Sequence, residues 1–211
     1  DFRTSFEEWR RGAVDLEFLR HVGRILERPY DDPPAFLAGR RGELVEVIVD
    51  ALERQPRRSL LLVGEHGVGK TALLRAALER LPPQLIPFEA TTTEISAGAI
   101  HVGELEGRIQ DLAGRLRGHP VVWLLPAFSE ALYAGQHSRS PMGMLDAMLP
   151  PIERSELTVV GEIDPGSFDR LLAERPRSPE PSRSSGSDRS TSSPRWRRPS
   201  SSSQVVPLER R

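Results

Sequence analysis

Four strand-sized apolar runs, separated by stretches with apolar residues at helical spacing, predict an α/β protein with a mostly parallel sheet and helices on both faces, in three αβα layers. A glycine-rich loop between the first of those runs and the helix after it narrows this to a phosphate-binding variant of the architecture. The chain has 211 residues, 37% of them hydrophobic, enough for one sizeable core.

Residues 6–26 place Val14, Phe18, Leu19, Val22, Ile25 and Leu26 at helical spacing, and Pro29, Pro33 and Pro34 stop the pattern. A helix and linker are therefore expected over 1–34. Residues 43–54 repeat the helical period with Leu44, Val47, Ile48, Ala51 and Leu52. Residues 59–63, Ser-Leu-Leu-Leu-Val, form a continuous run between two arginines and Gly64, the pattern of a strand buried on both faces. The same reading gives helices over 70–80, 104–116 and 142–149, and strands over 85–89, 121–125 and 157–161. Composition changes near Pro176, after which Ser, Pro and Arg predominate and little remains to bury. The expected organisation is a domain over 35–176 and a disordered tail over 177–211.

A net charge of −1, from 29 basic and 30 acidic residues, supplies no global field to attract nucleic acid or an anionic membrane. With no cysteine there is no disulfide, thiolate nucleophile or Cys-ligated metal, and the cytoplasm is the expected compartment. No apolar run approaches the roughly 20 residues of a spanning helix. The start, Asp-Phe-Arg-Thr-Ser-Phe, has neither an initiator Met nor a signal-peptide pattern, so a piece of a longer chain is expected. Lys70 is the only lysine among the 29 basic residues, which marks a position where an ammonium is wanted.

That lysine ends the loop. Gly64-Glu65-His66-Gly67-Val68-Gly69-Lys70-Thr71 satisfies G-x-x-x-x-G-K-[ST] between an expected strand and an expected helix, the signature of P-loop NTPases. Glycines serve there because backbone N–H groups must turn inward around phosphate oxygens, in conformations a Cβ obstructs. The following helix aims its positive end at the same anion. ATP or ADP is the expected ligand, with Lys70 on the β- and γ-phosphates and the Thr71 hydroxyl on Mg²⁺.

From Gly39-Arg40 to about Leu172 the sequence resembles the Clp-type protein unfoldases of the AAA+ superfamily. A Gly-Arg pair and an amphipathic helix precede the first strand, as they do in that family. The loop GEHGVGKT stands against the family's GEPGVGKT, and residues 97–108, AGAIHVGELEGR, stand against a segment near AGTKYRGEFEER. The resemblance implies an AAA+ large subdomain that binds nucleotide, assembles into a homo- or hetero-oligomeric ring and threads polypeptide through its pore.

Three departures alter what the resemblance implies. Aligning the family's IILFIDEIHTLVGAG with residues 121–135 puts Pro126 and Ala127 where the Walker B Asp and Glu belong, so hydrolysis is expected to be weak or absent. The pore-loop aromatic falls at His101 and its preceding cation at Ile100, which alters the grip on a polypeptide substrate. The fourth family strand ends in a polar sensor after Gly-Ala, whereas this chain has Gly161-Glu162-Ile163-Asp164, and the arginine finger and small lid subdomain are missing where the Ser-rich tail begins. A non-catalytic, nucleotide-dependent scaffold in a larger complex is the alternative to a protein-remodelling ATPase.

Glu162 is the candidate catalytic acid. The resemblance places its strand between the phosphate-loop strand and the Walker B strand, where it is either a relocated carboxylate near Mg²⁺ or, with Asp164, only the opening of a turn and the cap of a helix near Ser167. Glu130 reads as a solvated residue, His66 as either a phosphate contact or a solvent-facing side chain, and His101 as either a weakened substrate contact or a surface residue. The tail, with Trp196 between Arg195 and Arg197, has the look of an RNA-binding or phosphorylatable Arg-Ser segment without a folded stacking platform. It also reads as a frameshifted continuation, because GC-rich codons for residues 181–187 shift to a frame encoding a strand like the family's next one.

Overall fold

The computed structural model describes residues 13–28, 39–97, 102–135, 143–174 and 204–208. In chain order these form α1 (Leu16–Val22), β1 (Arg24–Ile25), α2 (Arg40–Glu53), β2 (Leu60–Val63), α3 (Lys70–Arg80), β3 (Ile86–Glu89), α4 (Thr92–Ser96) and α5 (Val102–Leu116). Then follow β4 (Val121–Leu125), a 3₁₀ helix (Phe128–Leu132), α6 (Met144–Glu153), β5 (Val159–Ile163), α7 (Pro165–Glu174) and β6 (Gln204–Pro207). The strands make one six-stranded sheet in the order β1-β3-β4-β5-β2-β6. Its interior strands β3, β4, β5 and β2 are parallel, and β1 and β6 close the two edges antiparallel.

Strand alternation sets the two cores. Leu60, Leu62, Leu124 and Val160 face α2 and α3 and meet Ile48, Leu52, Leu73 and Leu78. Leu61, Val63, Trp123, Val159 and Ile163 face the other layer and meet Leu19, Ile109 and Met148. Trp123 is fully buried, and its indole N–H donates to the Ala90 carbonyl at 2.9 Å, so the largest core side chain leaves no unpaired donor. The buried Ser59 hydroxyl accepts from the Val159 N–H at 3.0 Å and locks the start of β2 to β5.

The three-layer α/β architecture is the one expected from the sequence, and four elements differ from expectation. The helix expected over 6–26 is short in its described part: Asp15 caps it at the Phe18 N–H, 2.9 Å away, and it ends at Gly23. A Cβ at Gly23 would lie 2.4 Å from the Glu89 carbonyl oxygen, so the chain passes close against β3 and continues as β1. Tertiary pairing with an otherwise open sheet edge outweighs helical periodicity there. Residues 13–28 pack on the domain: Leu19 is fully buried, and the Arg28 guanidinium donates to the Leu78 carbonyl at 2.7 Å; the linker expected after Pro29 lies outside the described residues.

The tail expected to be disordered to its end carries β6. Gln204–Pro207 pairs antiparallel with β2, Val206 is buried, and the Leu208 N–H donates to the Ser59 carbonyl at 3.0 Å. Composition averaged over the tail hides this strand, because two valines suffice where β2 offers unpaired backbone groups. Residues 175–203, with Trp196 and most of the tail arginines, lie outside the described residues. The helix expected to stop at Leu149 runs through Pro150 and Pro151 to Glu153. Finally, the strand expected over 157–161 is shifted to Val159–Ile163, which puts Glu162 inside it.

Candidate functional site

The loop leaves β2 at Gly64, whose N–H donates to the Ile163 carbonyl of β5 at 3.1 Å. Glu65 and His66 are exposed on the loop. Gly67 and Gly69 have φ of +79° and +89°, the left-handed region that costs an L-residue roughly 1–2 kcal/mol, and this is why glycine stands at both positions. Gly69 caps α3 without a side-chain bond, and no acidic residue stands in the first turn of α3. The N-terminal N–H groups and the positive end of an 11-residue helix are thereby left for an anion.

Lys70 folds over this turn. Its ammonium donates to the Gly64 and Glu65 carbonyls at 2.8 and 2.9 Å, which holds its charge above the loop. From α2, Arg41 donates to the Val68 carbonyl at 3.3 Å and brings a second cation to the rim. The sequence reading missed Arg41; the only signal is its place after Gly39-Arg40.

Of the candidates, Thr71 and Glu162 are brought together. The Thr71 hydroxyl lies 2.9 Å from one Glu162 carboxylate oxygen and 3.1 Å from the other, donating to the carboxylate. Glu162 is half-buried among β2, β4 and α3, and the loss of water there pushes its carboxyl above the usual range. The Thr71 hydroxyl and the Lys70 charge pull the other way, nearby Glu89 adds to the rise, and Arg75 opposes it. Glu162 shares a cleft with Thr71, Arg75, Glu89, Leu124 and Pro126. Glu89 itself is held by Arg24 at 2.7 Å. Arg75 and Glu89 were also missed by the sequence reading, since nothing local marks a strand end or a helix face as part of a cleft.

The cap reading holds for Asp164 alone. Its carboxylate accepts from the Ser167 N–H at 2.8 Å at the start of α7, and its bonds to Ser167 hold its pKa below the ordinary value. Glu130 is exposed on the 3₁₀ helix, in keeping with a solvated residue. His101 and Ile100 lie outside the described residues.

Pro126 and Ala127 follow the last residue of β4. Pro126 is half-buried, whereas Ala127 is exposed and sits at φ +52°, ψ +50° as it opens the 3₁₀ helix. A left-handed alanine is a local strain that glycine relieves. Ala127→Gly should therefore raise the unfolding free energy by about 1 kcal/mol in urea titrations. A decrease would show that the residue is not held left-handed in solution.

A family model described as AAA ATPase domain matches residues 37–184. Among similar proteins, the chaperone protein ClpB of Corynebacterium glutamicum is 28% identical over 171 residues, covering 76% of this chain and 19% of that protein. ClpB of Yersinia enterocolitica is 29% identical over 175 residues, covering 78% of this chain and 18% of that protein. The chain thus spans about a fifth of the length of these curated relatives. Among solved structures, the Hsp104–ADP complex of S. cerevisiae superposes with a TM-score of 0.53 at 19% identity, covering 68% of this chain and 25% of that one. An extended conformation of the S. cerevisiae Hsp104–casein complex gives 0.53 at 20% identity over 67% of this chain and 25% of that one. These two likenesses concern the fold. Together with a glycine-rich loop standing between β2 and α3, the family match over 37–184 carries one conclusion: the chain belongs to the family of AAA ATPase domains and within it is similar to the Clp-type members.

Proposed function

We propose that this chain binds ATP or ADP with Mg²⁺ through residues 64–71 and hydrolyses ATP slowly or not at all, as a module akin to Clp-type protein-remodelling ATPases. The observation that carries the reading is the contrast between an intact loop and an acid-free strand end. In support of binding, Gly67 and Gly69 take left-handed backbone, the Lys70 ammonium donates to the Gly64 carbonyl, and α3 has no acidic residue in its first turn. Pro126 and Ala127, next after β4, carry no carboxylate. Binding and turnover separate on physical grounds: loop amides, helix terminus and ammonium act on the ground state, whereas orienting the attacking water needs a group placed for the transition state.

The residues present fit Mg²⁺. A hydroxyl and a carboxylate in contact, Thr71 and Glu162, are the hard oxygen donors this ion takes. Among the described residues no group of three or more Asp, Glu or His side chains could hold a metal. Mg²⁺ needs no such cage, because it draws most of its oxygens from nucleotide phosphates and water. When bound, it neutralises phosphate charge. Thr71 would hold it from the first turn of α3 while Lys70 reaches the phosphates.

Assembly into a homo- or hetero-oligomeric ring, contact with polypeptide near His101 and a cytoplasmic setting belong to this proposal through the likeness to Clp-type proteins. No helix among the described residues is long and apolar enough to cross a membrane. A second reading, a nucleotide-dependent scaffold without turnover, is favoured over an active unfoldase by Pro126 and by the strained Ala127. Titration with fluorescent ADP and ATP beside steady-state phosphate release tests both. Saturable binding is expected, with phosphate release no faster than that of a Lys70→Ala control. Absence of saturable binding sinks the nucleotide reading, and robust release above that control sinks the claim of slow turnover.

A further inference from the structure

We propose that Glu162, from β5, supplies the carboxylate support for the nucleotide's Mg²⁺ that the end of β4 does not supply. The inference rests on the reading that the 64–71 loop binds nucleotide, and it assigns a residue that the family match leaves unassigned.

Register is the first support. Leu125 of β4 pairs with Gly161 of β5, and Leu62 of β2 pairs with Glu162. One step beyond the Leu125–Gly161 pair stand Pro126 and Glu162. Because side chains alternate along a strand, Glu162 lies on the face of Val160 and Leu62, toward α3, and Pro126 lies on the face of Leu124, which is the same one. Both line one cleft. An acid absent from one strand is thus present on its neighbour, at the same level, on the same face and nearer to the loop-bearing strand β2.

Aim is the second support. The carboxylate is held by the Thr71 hydroxyl, which lies within 2.9 and 3.1 Å of its two oxygens. Lys70 is engaged instead with the Gly64 and Glu65 carbonyls, so Glu162 is not a simple ion-pair partner of the loop lysine.

Context is the third. Glu162 stands in an interior strand whose other residues, Val159, Val160, Gly161 and Ile163, are all buried. A carboxylate inserted in such a strand is costly unless a cation or donors meet it. The strand is also held in place behind it: a Cβ at Gly161 would lie 2.4 Å from the Phe128 ring, so β5 is pressed against that ring and Glu162 projects from a backbone with little room to shift. Glu162 is therefore a positioning residue for the metal, acting beside Thr71.

The test is the Mg²⁺ dependence of fluorescent ADP and ATP affinity, measured on the full chain in EDTA and across a Mg²⁺ series. Glu162→Gln, which keeps shape and removes charge, should lose about tenfold of the tightening that Mg²⁺ brings while its affinity in EDTA stays within a few-fold of the unaltered chain. Moving the acid back, with Pro126→Asp in the Glu162→Gln background, should restore part of the Mg²⁺ effect. Thermal melts establish that each variant is folded. An undiminished Mg²⁺ effect in Glu162→Gln overturns the assignment. So does tighter binding in both EDTA and Mg²⁺, which would make Glu162 merely repulsive to phosphate. If the unaltered chain binds nucleotide neither with nor without Mg²⁺, the nucleotide reading itself falls, and this inference falls with it.

Discussion

Lys70→Ala should weaken ATP and ADP binding by tenfold or more. The ammonium is held over the loop by the Gly64 and Glu65 carbonyls at 2.8 and 2.9 Å, both main-chain acceptors, and it can exchange these for phosphate oxygens without rebuilding the loop. Hydrogen bonds to charged groups contribute roughly 1.5–3 kcal/mol, and a factor of ten corresponds to about 1.4 kcal/mol. Arginine is no substitute, because its planar fork is larger than the compact ammonium and is never deprotonated; Lys70→Arg should recover little of the affinity. The remaining contributors, the loop N–H groups and the end of α3, are main-chain features that survive the substitution, so weak residual binding is expected rather than none. Affinity unchanged in a titration with fluorescent ADP would mean that nucleotide does not sit in the loop.

Gly161→Val should destabilise the fold by about 2–3 kcal/mol, near the upper end of what overpacking costs in a core. The contact is severe. An added Cβ would stand 2.4 and 2.8 Å from two Phe128 ring atoms and 2.9 Å from a Leu61 methyl, and β5 is flanked on both sides by parallel strands that prevent it from moving aside. Phe128 is itself fully buried, and Phe128→Ala should cost about 3–5 kcal/mol through the cavity it leaves. The two substitutions share one space. The double variant should therefore be more stable than the sum of the single effects predicts, by at least about 0.5 kcal/mol, with Leu61 still limiting the relief. Urea unfolding measures all three variants. A Gly161→Val protein that unfolds at the same midpoint as the unaltered chain would show that β5 and the 3₁₀ helix do not pack this closely in solution.

Local pattern was sufficient for the parallel centre of the sheet and for the loop. Runs such as 121–125 are apolar at every position because both faces of an interior strand are covered, and that information lies within five residues. The loop was legible for a similar reason: Gly67 and Gly69 are required by the backbone conformation at their own positions. Even the absence of acid at Pro126 and Ala127 could be read from one aligned segment. What could not be read locally is pairing. β1 has two residues, and it exists because Gly23 lets the chain lie against Glu89, which is distant in sequence. β6 is found where composition indicates a solvated tail, because β2 has a free edge. The two-residue shift of β5 follows from its registers with β2 and β4 together, and neither is expressed in its own hydrophobic run. That shift places Glu162 within the strand rather than in the turn after it. As a turn residue it would face water; as a strand residue its side chain is committed by alternation to the face of α3, where Thr71, 91 positions away in sequence, holds it. By itself the sequence determined the interior strands, the helices between them and where the glycine-rich loop stands, because those depend on periodicity and on the conformational freedom of single residues. Only the tertiary structure decided which acid meets the loop, because that depends on strand order and register, and both are settled by contacts between segments that carry no local record of one another.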